Sequence, residues 1–107
     1  MSGEVVCITE GWADTLLADI VAEALKRYCQ KLDVARFEDS VITILYSEDS
    51  WYIGIIESTN YTDIYACRDL ETLTSYLIEE YEIDEEYDRE AYEMLSKLQK
   101  KGMSIHY

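Results

Sequence analysis

The fold is decided by residues 41–67, VITILYSEDSWYIGIIESTNYTDIYAC, where apolar, β-branched runs are separated by short polar ones. Each of the three runs predicts a β-strand, because β-branched and aromatic side chains fit a pleated, covered surface. The strands are expected at 41–46, 51–57 and 61–67. The connections Ser-Glu-Asp-Ser and Ser-Thr-Asn are turn residues, and connections this short favour an antiparallel meander.

A helical pattern precedes the strands, from about residue 12 to residue 32. Its apolar side chains recur at spacings of three and four residues, which predicts a helix with one apolar stripe. The stripe consists of Trp12, Leu16, Leu17, Ile20, Val21, Ala24, Leu25 and Tyr28. Further upstream, residues 4–8, Glu-Val-Val-Cys-Ile, fit either a short strand or an ordered lead-in.

Two more helices are expected after the strands. The first follows Asp69, a good N-cap, and fades near Tyr81. The second starts at Asp88, its expected N-cap, and Tyr87 and Tyr92 are placed to form a hydrophobic staple across that cap.

The last helix should end at Gly102, because glycine is the common residue just past a helix C-terminus. Together these elements predict a single α+β domain over residues 1–107, in the order α-β-β-β-α-α. Its three-stranded antiparallel sheet is expected to carry the helices on one face.

The charge balance is unusual, with 23 Asp and Glu against 9 Lys and Arg, a net of −14. This exceeds the magnitude of roughly 2–8 that a small domain needs for solubility. Self-repulsion of this size lowers stability, so either the charge has a use or the core tolerates it. The negative charge argues against direct binding of nucleic acid, because phosphate contacts need clustered Lys and Arg. No apolar run approaches the length of a membrane span, so no membrane partner is expected.

Three cysteines, Cys7, Cys29 and Cys67, are widely spaced and form no CxxC pair. This arrangement is neither a disulfide framework nor a zinc site, and it predicts reduced thiols in a cytosolic protein. The N-terminal residues do not show a signal-peptide pattern. The expected compartment is therefore the cytoplasm.

The sequence offers little for catalysis or for a metal. The only histidine is His106, next to last, so no serine or cysteine can be given a histidine base within a folded site. Residues 82–93 place acids as in a calcium-binding loop, but the sixth place, where the sharp turn requires glycine, is Tyr87. No enzymatic activity, cofactor or metal site is expected.

The strongest signal is residues 69–93, which hold eleven acids against one base and so contribute −10 to the net charge. Four tyrosines are interleaved with the acids, and tyrosine is enriched at interface hot spots. An ordered array of carboxylates resembles a nucleic-acid backbone, so a basic groove that holds DNA or RNA would attract it. The alternative is a solvated face whose acids cap two helices, but capping explains only two or three of them.

The predicted partner-binding residues crowd the loop and helix start within this stretch. They are Asp84, Glu85, Glu86, Tyr87, Asp88, Glu90 and Tyr92. A second acidic pair, Glu48 and Asp49, lies in the first strand connection and would extend the same patch if the sheet curls toward the last helix. The alternative for this pair is ordinary turn chemistry.

The element order and residues 79–94, Glu-Glu-Tyr-Glu-Ile-Asp-Glu-Glu-Tyr-Asp-Arg-Glu-Ala-Tyr-Glu-Met, resemble small acidic phage anti-CRISPR proteins that inhibit type II-A Cas9. Members of that family are DNA mimics whose carboxylates occupy the groove that reads the PAM duplex. The resemblance implies such contacts for five carboxylates and two supporting tyrosines. These are Asp84, Glu85, Glu86, Asp88 and Glu90, with Tyr87 and Tyr92. The first helix here is longer and more apolar than in the family.

The sequence therefore predicts a stoichiometric inhibitor, phage-encoded and acting in a bacterial host cell, that blocks the nucleic-acid groove of a Cas effector or another basic nucleic-acid-binding protein. An immunity protein that neutralises a basic nuclease toxin is the first alternative, because the same physics governs its interface. A non-catalytic assembly module that forms a homodimer through the long first helix is the second.

Overall fold

Five strands form one antiparallel sheet in the structure, a computed structural model that describes residues 4–105. The strands are β1 (Val6–Cys7), β2 (Gln30–Phe37), β3 (Ser40–Tyr46), β4 (Tyr52–Glu57) and β5 (Thr62–Cys67). Their order across the sheet is β1-β5-β4-β3-β2. The three strands expected within residues 41–67 are β3, β4 and β5, and their antiparallel meander is confirmed.

The observed sheet has a further strand at each edge that the prediction of three strands did not include. At one edge, Val6 and Cys7 pair antiparallel with Ala66 and Tyr65, so residues 4–8 contribute a short strand. At the other edge, β2 pairs along its length with β3. The element order is therefore β-α-β-β-β-β-α-α, with two strands more than expected.

The first helix, α1 (Thr15–Tyr28), is shorter at both ends than the expected 12–32. Asp14 caps its start, because its carboxylate accepts hydrogen bonds from two backbone N–H groups of the first turn. The helix ends at Cys29, whose backbone is extended and leads directly into β2.

A β-bulge hides the alternation in β2. The register with β3 shifts between Lys31 and Asp33. The residues that pack in the core, Leu32, Ala35 and Phe37, are therefore spaced by three and then by two. A spacing of three resembles a helix, which explains why the prediction that the first helix reaches residue 32 was wrong.

The helices lie on both faces of the sheet, so the prediction of helices on one face was wrong. On one face, here called the two-helix face, lie α2 (Leu70–Glu80) and α3 (Arg89–Ile105). On the other, the one-helix face, lies α1. Alternation along β3 divides the core accordingly: Ile42 and Ile44 pack with α2 and α3, whereas Leu45 packs with α1.

The two C-terminal helices pack closely against each other. The start of α2 after Asp69 is confirmed, because the Asp69 carboxylate accepts a 3.0 Å hydrogen bond from Thr72 N. The prediction that the last helix ends at Gly102 was wrong, because α3 continues past it. Gly102 is buried, and a Cβ there would lie 3.0 Å from the backbone N of Glu71. Glycine is needed for this close approach and not for a helix end.

The apolar stripe of α1 is divided between the core and solvent. Ala18 and Ala22 are buried on the one-helix face. On the opposite side of the helix, Leu16 is 65% exposed, Ile20 58% and Tyr28 77%. The helical pattern predicted the helix correctly but did not show that half of its apolar side chains face water.

The three cysteines form no disulfide: Cys67 is buried, and Cys7 and Cys29 are half-buried. Within residues 4–105, no helix combines the length and the apolar character needed to cross a lipid bilayer.

Candidate functional site

The acidic loop, residues 82–90, connects α2 to α3 and contains most of the predicted site. It leaves α2 through Glu82, which has a φ of 48°. Ile83 is buried in the core between the two C-terminal helices and anchors the start of the loop. The rest of the loop is held by its own hydrogen bonds.

Asp84 and Asp88 bond reciprocally and define the shape of the loop. The Asp84 carboxylate accepts hydrogen bonds from Glu86 N (2.8 Å) and Tyr87 N (2.9 Å). The Asp88 carboxylate accepts from Asp84 N at 2.9 Å, and Asp88 N donates to the Asp84 carbonyl at the same distance. The bonds from Tyr87 N and Glu86 N hold the pKa of Asp84 below its usual value.

These contacts identify the side chain that caps the helical turn before α3. The residue that caps the helical turn leading into α3 is Asp84, because its side chain bonds the N–H groups two and three residues later. The predicted start of the last helix at Asp88 is correct to one residue, since α3 begins at Arg89, but the Asp88 side chain bonds back to Asp84 N and does not cap the first turn of α3. The predicted staple was also wrong: Tyr87 is 88% exposed, whereas Tyr92 packs against the core of the two-helix face.

The remaining carboxylates of the loop differ in what they contact. Glu90 accepts a 2.8 Å hydrogen bond from the backbone N of Arg36, and so joins the first turn of α3 to the edge strand β2. Glu85 and Glu86 are exposed, and within the described residues neither carboxylate makes a hydrogen bond or an ion pair. The loop is thus ordered by Asp84, Asp88 and Glu90, and it presents Glu85, Glu86 and Tyr87 to solvent.

Hydrogen bonds of tyrosine hydroxyls join the residue before the acidic loop to strand β5. Tyr81, at the end of α2, donates from its hydroxyl to an Asp63 carboxylate oxygen at 2.7 Å. Its oxygen lies 2.8 Å from the Tyr65 hydroxyl, which must be the donor because the only Tyr81 proton is engaged by Asp63. Burial raises the pKa of both tyrosines, so both hydroxyls stay protonated at neutral pH.

Two acids that were not among the predicted site residues lie at the same end of the sheet as the acidic loop. Glu38 and Asp39 form the exposed turn between β2 and β3, where Glu38 has a φ of 55°. The turn follows Phe37, whose ring lies 6.3 Å from that of Tyr81. A hairpin turn at 38–39 was not predicted because β2 itself was missed. The acidic loop and this turn are together called the acidic end.

The other predicted pair lies at the opposite end of the sheet. Glu48 and Asp49 follow Tyr46, the last residue of β3, whereas Arg36, the contact of Glu90, pairs with Val41 near the start of that strand. At about 3.4 Å per residue, the intervening strand separates the two sites by roughly 17 Å. Glu48 and Asp49 therefore do not extend the acidic end.

The charge around Glu48 and Asp49 is also mixed. Arg68 donates to the Asp49 carbonyl at 2.8 Å, and its guanidinium carbon lies 4.3 Å from the centre of the Trp51 ring. The positive charge of Arg68 therefore lies beside Glu48 and Asp49, which fits the alternative that this pair consists of ordinary turn residues.

A groove along α3 marks where the acidic surface ends. Its volume is about 820 Å³, and its walls change from acidic residues to basic ones along the helix. It is lined by Glu85, Glu86, Arg89, Tyr92, Glu93, Ser96, Lys97, Lys100 and Lys101. Beyond Glu93 the groove is lined by lysines, so the continuous acidic surface ends there.

Within the described residues, the acidic end holds no candidate metal site. Among residues 4–105, no three His, Cys, Asp or Glu side chains converge as metal ligands would. His106, the only histidine of the sequence, lies outside the described residues. What the arrangement can do is present a rigid array of negative charge and one exposed aromatic ring.

Comparison with known proteins gives no match: no family model, no curated protein and no solved structure is similar to this chain at a significant level.

Proposed function

We propose that this protein is a stoichiometric inhibitor that inserts its acidic end into the nucleic-acid groove of a basic enzyme. The resemblance of residues 79–94 to phage anti-CRISPR proteins makes the PAM-reading groove of a type II-A Cas9 the first target to test. The alternative target is the groove of a basic nuclease toxin, for which the protein would act as an immunity protein.

One observation carries the proposal: three acids of the loop are used to fix its shape, and its three other acids, Glu82, Glu85 and Glu86, are exposed beside an exposed tyrosine and make no side-chain hydrogen bond or ion pair within the described residues. The fixed acids are Asp84, Asp88 and Glu90. A loop that served only solubility would not need a reciprocal set of hydrogen bonds to hold it. A preorganised loop, by contrast, loses little conformational entropy when it binds.

The charge of the acidic end suits a DNA-binding groove. It gathers eight carboxylates with Arg36 and Arg89 as the neighbouring bases. The eight are Glu38, Asp39, Glu82, Asp84, Glu85, Glu86, Asp88 and Glu90. Duplex DNA presents about one negative charge per 1.7 Å of its axis, so a groove built for it attracts a dense array of this sign. Tyr87 adds an aromatic contact of the kind that dominates interface energies.

The test is inhibition of DNA binding by a guide-loaded type II-A Cas9, measured by electrophoretic shift with a PAM-containing duplex. The wild-type chain should prevent the shift at near-equimolar concentration, and the double variant Glu85→Lys/Glu86→Lys should lose this effect. Asp84 is left intact, because replacing it would disturb the loop itself. The matched control is Glu48→Lys/Asp49→Lys, which makes the same change in net charge at the opposite end of the sheet and should inhibit like wild type.

The outcomes separate the proposal from its alternatives. If the wild-type chain fails to inhibit any Cas9 tested but binds a basic nuclease toxin through Glu85 and Glu86, the protein is an immunity protein. If the two double variants lose binding equally, overall charge and not the acidic end is responsible, and the proposal fails. Binding through the acidic end should also weaken steeply as salt is added, because exposed charges are screened.

A further inference from the structure

We infer that the exposed side of α1 is a self-association surface, and that two copies of this chain pack their α1 helices antiparallel about a two-fold axis. This inference does not depend on the proposed function, since α1 and the acidic end lie on different parts of the molecule.

The first support is the apolar area on α1. Leu16, Leu17, Ile20, Ala24 and Tyr28 fall within an arc of roughly 120° on the side of the helix away from the sheet, at about 100° per residue. With the exposures given above and 44% for Leu17, these side chains present on the order of 500 Å². This is near the upper limit of apolar patches on monomers. With a polar rim, it approaches the roughly 800 Å² per partner of a standard interface.

The second support is charge complementarity between two copies of the same helix. Asp14 caps the start of α1, whereas Arg27, which is exposed, lies in its last turn. The other charged residues of the helix are engaged within the same chain: Lys26 pairs with Glu23 and Glu57, and Asp19 accepts a hydrogen bond from Thr62. Antiparallel packing sets Arg27 of each helix toward the end of the other helix that carries Asp14, and it also opposes the two helix dipoles. Parallel packing would set like charges together.

The third support is the helix surface at the centre of the patch. Ala24 is exposed and has a small side chain, and it lies one turn from Ile20. In an antiparallel pair centred between them, Ile20 of one copy faces Ala24 of the other. A large residue against a small one allows helices to approach to the usual 8–10 Å. A two-fold axis makes the contact self-complementary and closes it at two copies.

The net charge of −14 does not prevent this pairing, because its main source lies elsewhere. The acidic loop joins α2 to α3, which cover the opposite face of the sheet. Two copies joined through α1 therefore keep their acidic ends outward and apart. The pair would present two acidic ends to partners at once.

The test is the molar mass of the whole chain in solution by sedimentation equilibrium, over a concentration series that reaches about 0.1 mM, where contacts of micromolar strength are saturated. Wild type should approach twice the monomer mass of 12.5 kDa. Ile20→Lys should shift the equilibrium to monomer by at least tenfold in dissociation constant. The matched control is Val34→Lys, which adds the same charge at an apolar position on β2 that is 44% exposed, and it should associate like wild type.

A second variant tests the antiparallel arrangement. Arg27→Glu removes the attraction to the Asp14 end of the other copy and adds a repulsion, so the dissociation constant should rise several-fold. In a parallel pair, the same change only replaces one like-charge contact with another and should have little effect. Circular dichroism of each variant verifies that α1 still forms.

Three results would overturn the inference. The first is a wild-type mass that stays at the monomer value across the series. The second is a dimer that Ile20→Lys and Val34→Lys weaken equally. The third is a monomer whose binding to an inhibited enzyme is lost in Ile20→Lys, because the exposed side of α1 would then contact that enzyme and not a second copy.

Discussion

The two faces of the sheet are covered very differently. Five strands about 4.8 Å apart make a sheet more than 20 Å wide, whereas a helix with its side chains is about 10 Å across. The two helices of the two-helix face can therefore cover it, and Leu73, Leu77 and Leu95 are fully buried there. On the one-helix face, Leu45, Ile55 and Ile64 of the sheet are also fully buried, but the buried residues of the single helix are alanines. Helices with similar amphipathic spacing are therefore packed into the core as a pair on the two-helix face, whereas the single helix of the one-helix face is half-exposed.

The largest effect should come from truncating the two-helix core. Leu77→Ala leaves a cavity between α2 and the sheet and should lower the free energy of unfolding by about 2–5 kcal/mol. Leu25→Ala on α1 removes a half-buried side chain and should cost only about 1 kcal/mol. Urea denaturation of both variants measures the difference. Equal losses would mean that the one-helix face is packed as tightly as the other.

The next effect tests how closely α3 approaches α2. Alanine normally stabilises a helix interior by about 1 kcal/mol relative to glycine. At Gly102 the added Cβ would lie 3.0 Å from Glu71 N and 3.2 Å from Leu70 Cβ, and neither can move without shifting the start of α2. Gly102→Ala should therefore lower the free energy of unfolding by about 1–3 kcal/mol. A stabilised Gly102→Ala variant would show that the two helices can separate at little cost.

The sequence was sufficient for the elements with clear periodicity and insufficient for those without. Strands β3, β4 and β5 and helix α2 were predicted with their bounds correct to one or two residues, because their alternation and capping are local. The strand β2 was missed because its bulge replaces alternation with a spacing of three. The exposure of Leu16 and Ile20 could not be predicted, since it depends on how many helices share a face.

For the acidic loop, the position of the acids at a helix start was predicted correctly, but the hydrogen bonds that each acid makes were not. The crowding of acids at 84–90 was visible in the sequence. Whether an Asp there caps a turn or faces a partner depends on hydrogen bonds, and these made Asp84 the cap in place of Asp88. Glu38 and Asp39 were overlooked because they join the site only through the hairpin that β2 forms.

A third, smaller effect tests the hydroxyl network beneath the acidic loop. Tyr81→Phe leaves the Asp63 carboxylate and the Tyr65 hydroxyl without their shared partner and should cost about 1–2 kcal/mol at neutral pH. Burial raises the pKa of Tyr81 in the folded state above its unfolded value of about 10. Its contribution is therefore fully present below pH 10 and is lost as the pH rises beyond that value.

Urea denaturation of wild type and Tyr81→Phe at neutral pH and above about pH 10 measures this dependence. Tyr81→Phe should lose less stability than wild type over that interval. Tyr87→Phe is the matched control, because it removes a hydroxyl from a ring that is 88% exposed, and it should behave like wild type throughout. Parallel losses in all three proteins would exclude Tyr81 as the titrating group.

The smallest effect on stability should come from the residues with the largest proposed effect on binding. Glu85→Lys/Glu86→Lys removes no contact that holds the loop, so the free energy of unfolding should change by less than about 0.5 kcal/mol. The sign should be stabilising, because a net charge of −14 repels itself and the variant reduces it. Glu48→Lys/Asp49→Lys changes the net charge equally and should stabilise by a similar amount. If the first variant instead lost more than about 1 kcal/mol relative to the second, Glu85 and Glu86 would be structural residues and the proposed interface would lose two of its three unengaged loop carboxylates.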